Sequence, residues 1–313
     1  MPRSMTPVFV LLALIVLPSN HSVAVAKEQA PSVDVYILSG QSNMVGSGRY
    51  DELELADKWA SEAFIFSKGK TDWDEMRPDT GLRDWKRFGP EIGFAQTLRA
   101  KSDINIIYLV KFALSGQPLD AGWANAGAKG DGWAGPEPGL NRKTFYPGES
   151  PDDPNIGLHY KRLHAHVTAA FKNLKDQGMA PRLRGIVWMQ GEADAKHEVS
   201  AGRYDRSLAL LKQRIEQDFA EGTDVPFIFG QVLAHEPALE RFTHRDLIRK
   251  RMADADWNSG TKHAIDNVWM VPTEGMELLK DTVHYSTKGQ LALGRAFGDK
   301  MLEAHRKAKQ DAQ

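Results

Sequence analysis

The chain has 313 residues, no cysteine and a formal net charge of −1 at pH 7. The missing cysteines exclude a disulfide framework, a thiolate metal site and a lipid-modified cysteine, so stability must come from one sizeable core. The near-neutral balance gives no electrostatic case for nucleic acid or an anionic membrane surface, both of which need clustered Lys and Arg; the basic stretch Arg245 to Arg251 alternates with Asp246, Leu247 and Ile248 and reads as a solvated helix face.

Residues 1–26 read as a signal peptide: Arg3 supplies the positive end, Val8 to Leu17 form an apolar run too short to span a bilayer comfortably, and Ala24-Val25-Ala26 offers a small-x-small cleavage site. Export, periplasmic or secreted, with no membrane association after cleavage near Ala26, is the expectation. The first strand, Val33 to Leu38, runs straight into "GQSNMVGSGR" at 40–49. Residues 50–88, with Trp59, Trp73 and Trp85, read as a long loop whose aromatics favour order. A helix follows over Pro90 to Ala100 and a strand over Ile104 to Lys111. A second long loop, 117–155, is rich in Gly and Pro and holds Trp123, Trp133, Phe145 and Tyr146. Beyond it helices at Leu158 to Leu174, Arg203 to Phe219, Ala238 to Ala255 and Thr287 to Ala304 alternate with strands at Leu183 to Met189, Val225 to Val232 and Val268 to Val271. Strands apolar at consecutive positions with helices between them predict a buried parallel sheet covered on both faces: a three-layer α/β/α sandwich with a mainly parallel sheet, in one domain over 27–313.

In such sheets ligands bind beyond the carboxyl ends of the strands. The segments that follow four strands are "SGQSNM", "FALSGQP", "QGEADAKHE" and a loop carrying "DTVHYS", so topology predicts that they meet. Serine is a weak nucleophile unless a base takes its proton, and that base needs a carboxylate to orient it. Ser42 is the candidate nucleophile. Ten histidines compete for the base. His284 has Asp281 three residues before it, but Asp194 and His197 have the same spacing; His284 is preferred because it lies past the last strand, where a loop can reach back over the first. Candidate oxyanion donors are the N–H groups of Ser42 and Gly116 and the side-chain amide of Gln190. Glu192 and Asn43 are placed to support the site. Arg49 is a candidate reader of a carboxylate on an acidic sugar, and Trp123 and Trp133 are candidate sugar-stacking rings.

Other chemistries fit less well. The G-x-S-x-G elbow is absent, since position 44 is Met. His164 and His166 are two apart on a predicted helix and point to different faces, so no metal or other cofactor is expected. Gly46 and Gly48 lack the further residues that phosphate-binding loops need.

With these residues in hand, the chain resembles the SGNH hydrolase superfamily, and within it the sialate O-acetylesterase domain, or carbohydrate esterase family 6, group. The resemblance rests on "GQSNM" at 40–44, "GPEIGFA" at 89–95, "VKFALSGQPL" at 110–119, "WMQGEADA" at 188–195 and "DTVHYSTKGQ" at 281–290, and covers nearly the whole chain after the signal. It implies a flavodoxin-like sandwich with a five-stranded sheet and a metal-free serine esterase that takes acetyl groups from carbohydrates, of the sialate O-acetylesterase or acetylxylan esterase type. The family's Gly-Gly-Thr stands here as Ser115-Gly116-Gln117, which bears on the second oxyanion donor and not on the nucleophile. Two rivals remain at this stage: a lipase or thioesterase of the same superfamily, and a carbohydrate-binding protein without catalysis.

Overall fold

The computed structural model describes residues 30–54, 62–76, 87–123, 133, 135 and 142–311. The expected signal peptide, Trp59 and Trp85 lie outside the described residues. In chain order the regular elements begin with β1 (Ser32–Gly40), the single turn α1 (Ser42–Val45), β2 (Gly48–Arg49), β3 (Ala63–Ser67), β4 (Asp74–Glu75), β5 (Arg87–Phe88), α2 (Glu91–Lys101) and β6 (Ile107–Ala113). They continue with α3 (Leu158–Asp176), β7 (Ala180–Met189), α4 (Glu198–Gly202), α5 (Tyr204–Phe219), β8 (Phe227–Gly230), α6 (Arg245–Ala255), β9 (Val268–Val271) and α7 (Thr287–Asp311).

The main sheet has seven strands in the order β4-β3-β6-β1-β7-β8-β9. Only β4 runs antiparallel to its neighbour; the others are parallel. Residues Val35 to Leu38 of the central strand are all fully buried, as a strand covered on both faces must be. Side-chain alternation assigns the layers. Tyr36 meets Phe94 of α2 and His305 of α7 on one face, while Phe66 and Phe112, which by register point the other way, meet His166 of α3. Trp188, beside Ser39 in the register and so on the α3 face, donates its indole N–H to the hydroxyl of Tyr204 at the start of α5. The two helices α2 and α7 approach through glycines: a Cβ on Gly93 would lie 2.4 Å from the Leu291 carbonyl oxygen, and one on Gly294 2.1 Å from that of Pro90.

The expected α/β/α sandwich is therefore present, with seven strands where five were expected. The extra pair, β3 and β4, lies within the segment read as a loop over 50–88. β3 is only five residues, "AFIFS", flanked in sequence by polar residues, and it owes its strand state to pairing with β6 along one whole edge. At the other margin, α6 starts at Arg245 rather than Ala238, because the preceding residues form turns around Phe242, whose N–H bonds to the Leu239 carbonyl.

Candidate active site

β1 ends at Gly40, whose φ is +144° and whose absent Cβ would lie 2.1 Å from the Met189 carbonyl oxygen, so the chain turns against β7 where only glycine fits. The next N–H, of Gln41, bonds to that same carbonyl at 2.8 Å. Ser42 follows as the first residue of α1, half-buried, and its N–H is one of those that a helix start leaves without an intrahelical acceptor.

The neighbouring side chain ties this turn to the far end of the chain. Asn43, 1% exposed, donates through Nδ2 to the Val283 carbonyl at 3.0 Å and to Glu192 Oε1 at 2.8 Å, and its Oδ1 accepts the Tyr285 N–H at 3.2 Å. Further bonds run alongside: Ser47 Oγ to the Tyr285 carbonyl at 2.7 Å, the Arg49 N–H to Thr287 Oγ1 at 2.9 Å, and Gln290 Nε2 to the Asn43 carbonyl at 3.3 Å. Residues about 240 positions apart in sequence are thereby locked together, and His284 is carried to the Ser42 turn.

Asp281 receives the His284 and Val283 N–H groups on Oδ1 at 2.9 and 3.0 Å, and its Oδ2 lies 2.6 Å from His284 Nδ1. Partial burial pushes this carboxyl up, but the bonds from the His284 ring and from the two backbone N–H groups outweigh it and hold the group below the ordinary aspartate value. With Nδ1 engaged, Nε2 is the nitrogen left to take a proton. Ser42 and His284 line one cavity of about 390 Å³ together with Ser115, Gly116, Glu192 and Phe242. Gly116 stands at φ +69° with open space around its missing Cβ, so backbone conformation and not crowding favours glycine there. Ser115 is exposed, and its departure from the family pattern meets no steric obstacle.

The competing pair is resolved by geometry. Asp194 faces away from His197: it accepts the N–H groups of Leu119 (2.9 Å) and Asp120 (3.1 Å) and Gln190 Nε2 (2.6 Å). Burial lifts its carboxyl to about 7, with the nearby Asp120 charge adding to the rise and the three donors opposing it. His197 instead accepts the Val199 N–H and stacks on Trp133 at 4.4 Å and 9°.

Several expected roles change. Gln190 is fully buried and both hydrogens of its amide are committed, to Asp194 and to the Gln117 carbonyl at 3.1 Å, so it fastens the Gly116 loop and leaves no donor for an oxyanion. Trp123 is 1% exposed, too deep to stack on a sugar. Trp133 has its ring on His197 and its indole N–H on Asp120 Oδ1. Arg49 is paired with Asp51 at 2.6 Å and Glu52 at 3.2 Å, which occupies the charge expected for a substrate carboxylate. Glu192 is 2% exposed beneath the cavity; burial raises its carboxyl, against the pull of its own N–H, Asn43 and His284. Asn43 was expected to support the site, but its partners and the bridging work of Ser47 and Gln290 were not readable in advance, since their signal is a set of pairings across the whole chain. Among the described residues no group of three His, Cys, Asp or Glu side chains is placed to hold a metal ion.

Residues 32–303 match the family model described as carbohydrate esterase, sialic acid-specific acetylesterase. Among solved structures, the fold is similar to that of a protein from Arabidopsis thaliana (20% identity, TM-score 0.60, 87% of this chain and 99% of that one). It is also similar to NanS (16%, TM-score 0.55, 89% and 99%) and to a carbohydrate acetylesterase from Xanthomonas citri (18%, TM-score 0.53, 87% and 55%). No curated protein matches.

Proposed function

The chain belongs to the carbohydrate esterase, sialic acid-specific acetylesterase family, and on that premise we propose that it is an exported serine esterase that removes O-acetyl groups from carbohydrates through Ser42, His284 and Asp281. The observation that carries the reading is the shared cavity: Ser42 and His284 line it together, with His284 Nδ1 bonded to Asp281 at 2.6 Å.

In the first half-reaction His284 Nε2 takes the Ser42 proton as Oγ attacks the acetyl carbonyl. The carbonyl oxygen becomes an oxyanion, and the N–H groups of Ser42 and Gly116 receive it. Collapse breaks the bond to the sugar oxygen, which takes the proton from His284 and leaves as an alcohol. Water then gives a proton to His284 and its oxygen to the acyl carbon; the second collapse returns the proton to Ser42 and frees acetate. Asp281 keeps its charge throughout, fixing the tautomer and stabilising the imidazolium.

A cavity of about 390 Å³ shared between the nucleophile, the base and a sugar has little room for a long acyl chain. Hydrolysis of p-nitrophenyl esters should fall as the chain lengthens from acetate to octanoate, and acetate should be released from acetylated oligosaccharides. A preference for octanoate would instead support the lipase reading. Export is tested separately: N-terminal sequencing of the mature protein should begin at Lys27, and recovery of Met1 on exported protein would refute cleavage.

A further inference from the structure

Beside the cavity that holds Ser42 lies a second one of about 360 Å³, at the carboxyl ends of β3 and β6. The two share Ser115, which forms part of both walls. The second cavity is of ligand size and stands where parallel sheets take their ligands.

Its charge is one-sided. Lys68, Arg87, Lys111 and Glu91 line it. Glu91, fully buried, is already taken by Lys111 Nζ at 2.6 Å, and the same ammonium donates to the Val45 carbonyl at 3.1 Å, so that pair forms a neutral floor behind the nucleophile turn. Lys68 and Arg87 are exposed, and neither has an acidic partner among the described residues. His159, whose Nε2 lies 2.9 Å from Gln117 Oε1, is held at about 4 by burial and then by the charges of Arg162, Lys143 and Lys68. A cavity with two cations that have no acidic partner among the described residues, one shared residue from the reacting serine, calls for an anionic group on the part of the substrate next to the ester.

We propose that the cavity lined by Lys68 and Arg87 binds an anionic sugar residue adjoining the acetylated one, so that the substrate is an acidic O-acetylated oligosaccharide; this rests on the esterase reading above. The acetylated residue occupies the Ser42 cavity, the chain crosses Ser115, and the carboxylate of its neighbour lies between the Lys68 ammonium and the Arg87 guanidinium. Arg49, committed to Asp51 and Glu52, takes no part.

The test uses xylotriose and xylotriose carrying one glucuronate, each unacetylated for calorimetric binding and acetylated for acetate release. The wild type should bind the glucuronate form about tenfold more tightly, the size expected for charged hydrogen bonds discounted for exposure. The doubly substituted Lys68→Ala/Arg87→Ala protein should lose that preference, as should the wild type in 0.5 M NaCl, while p-nitrophenyl acetate hydrolysis stays within twofold. Equal binding of both glycans by the wild type, or a preference that survives the double substitution, would overturn the proposal. A binding preference in a protein that releases acetate from no ester would defeat the esterase reading, and with it the substrate assignment, while the anionic-sugar site itself would stand.

Discussion

Asp194 is fully buried and receives three N–H donors, yet it has no ion-pair partner among the described residues. Its carboxyl, lifted to about 7, lies above the unfolded value of about 3.9. Folding therefore favours the protonated form: the stabilisation is complete below about pH 4 and is lost as pH rises through about 7. Between pH 5 and pH 8 the wild type should lose stability relative to Asp194→Asn, by an amount on the order of 2 kcal/mol, in urea unfolding at the two pH values. Parallel changes in the two proteins would show that Asp194 is ionised throughout. The same residue explains why D-x-x-H spacing alone could not choose a base. Which carboxylate serves which histidine depends on the donors around it, and those come from residues 119, 120 and 190 as much as from the motif.

At the level of elements, the turn α1 is four residues long and has no stability of its own. It is held by what Asn43 touches. Asn43→Ala would leave Glu192 Oε1, the Val283 carbonyl and the Tyr285 N–H without their partner in a buried setting. Each such loss costs about 1–3 kcal/mol before relaxation. The variant should unfold about 3 kcal/mol more easily in urea and, because His284 is displaced relative to Ser42, should lose at least tenfold in kcat with a smaller change in KM. An unaltered kcat would mean that the two segments hold their places without the bridge. The central strands and most helices were legible from periodicity because β1, β6 and β7 are apolar at consecutive positions, which only a doubly covered sheet explains. β3 and β4 were not, since a five-residue strand and a two-residue strand carry little pattern and depend on their neighbours.

Across the whole molecule, one rule made the site findable. A parallel sheet sends every strand's carboxyl end to the same edge, so Ser42 after β1, Gly116 after β6 and Glu192 after β7 were expected together before any side chain was placed. His284, in the loop between β9 and α7, was reachable by the same topology. What topology cannot assign is how shared groups are divided. Gln190 lies at the expected edge with its amide consumed by Asp194 and Gln117, and the two tryptophans of the Gly-rich loop are spent on packing. Their order in the chain puts these residues near the cavity; only the full set of competing partners shows which of them keep a polar group uncommitted there.

In the proposed mechanism everything depends on Ser42 acting as a nucleophile activated by His284. The most direct measurement is acetate release from p-nitrophenyl acetate by the wild type beside Ser42→Ala and His284→Ala, with circular dichroism to show that all three proteins are folded. The account predicts that either substitution lowers kcat by about 10⁴-fold or more and that combining them costs little further, as for residues that act as one unit. A folded Ser42→Ala protein that still releases acetate at a substantial fraction of the wild-type rate would contradict it.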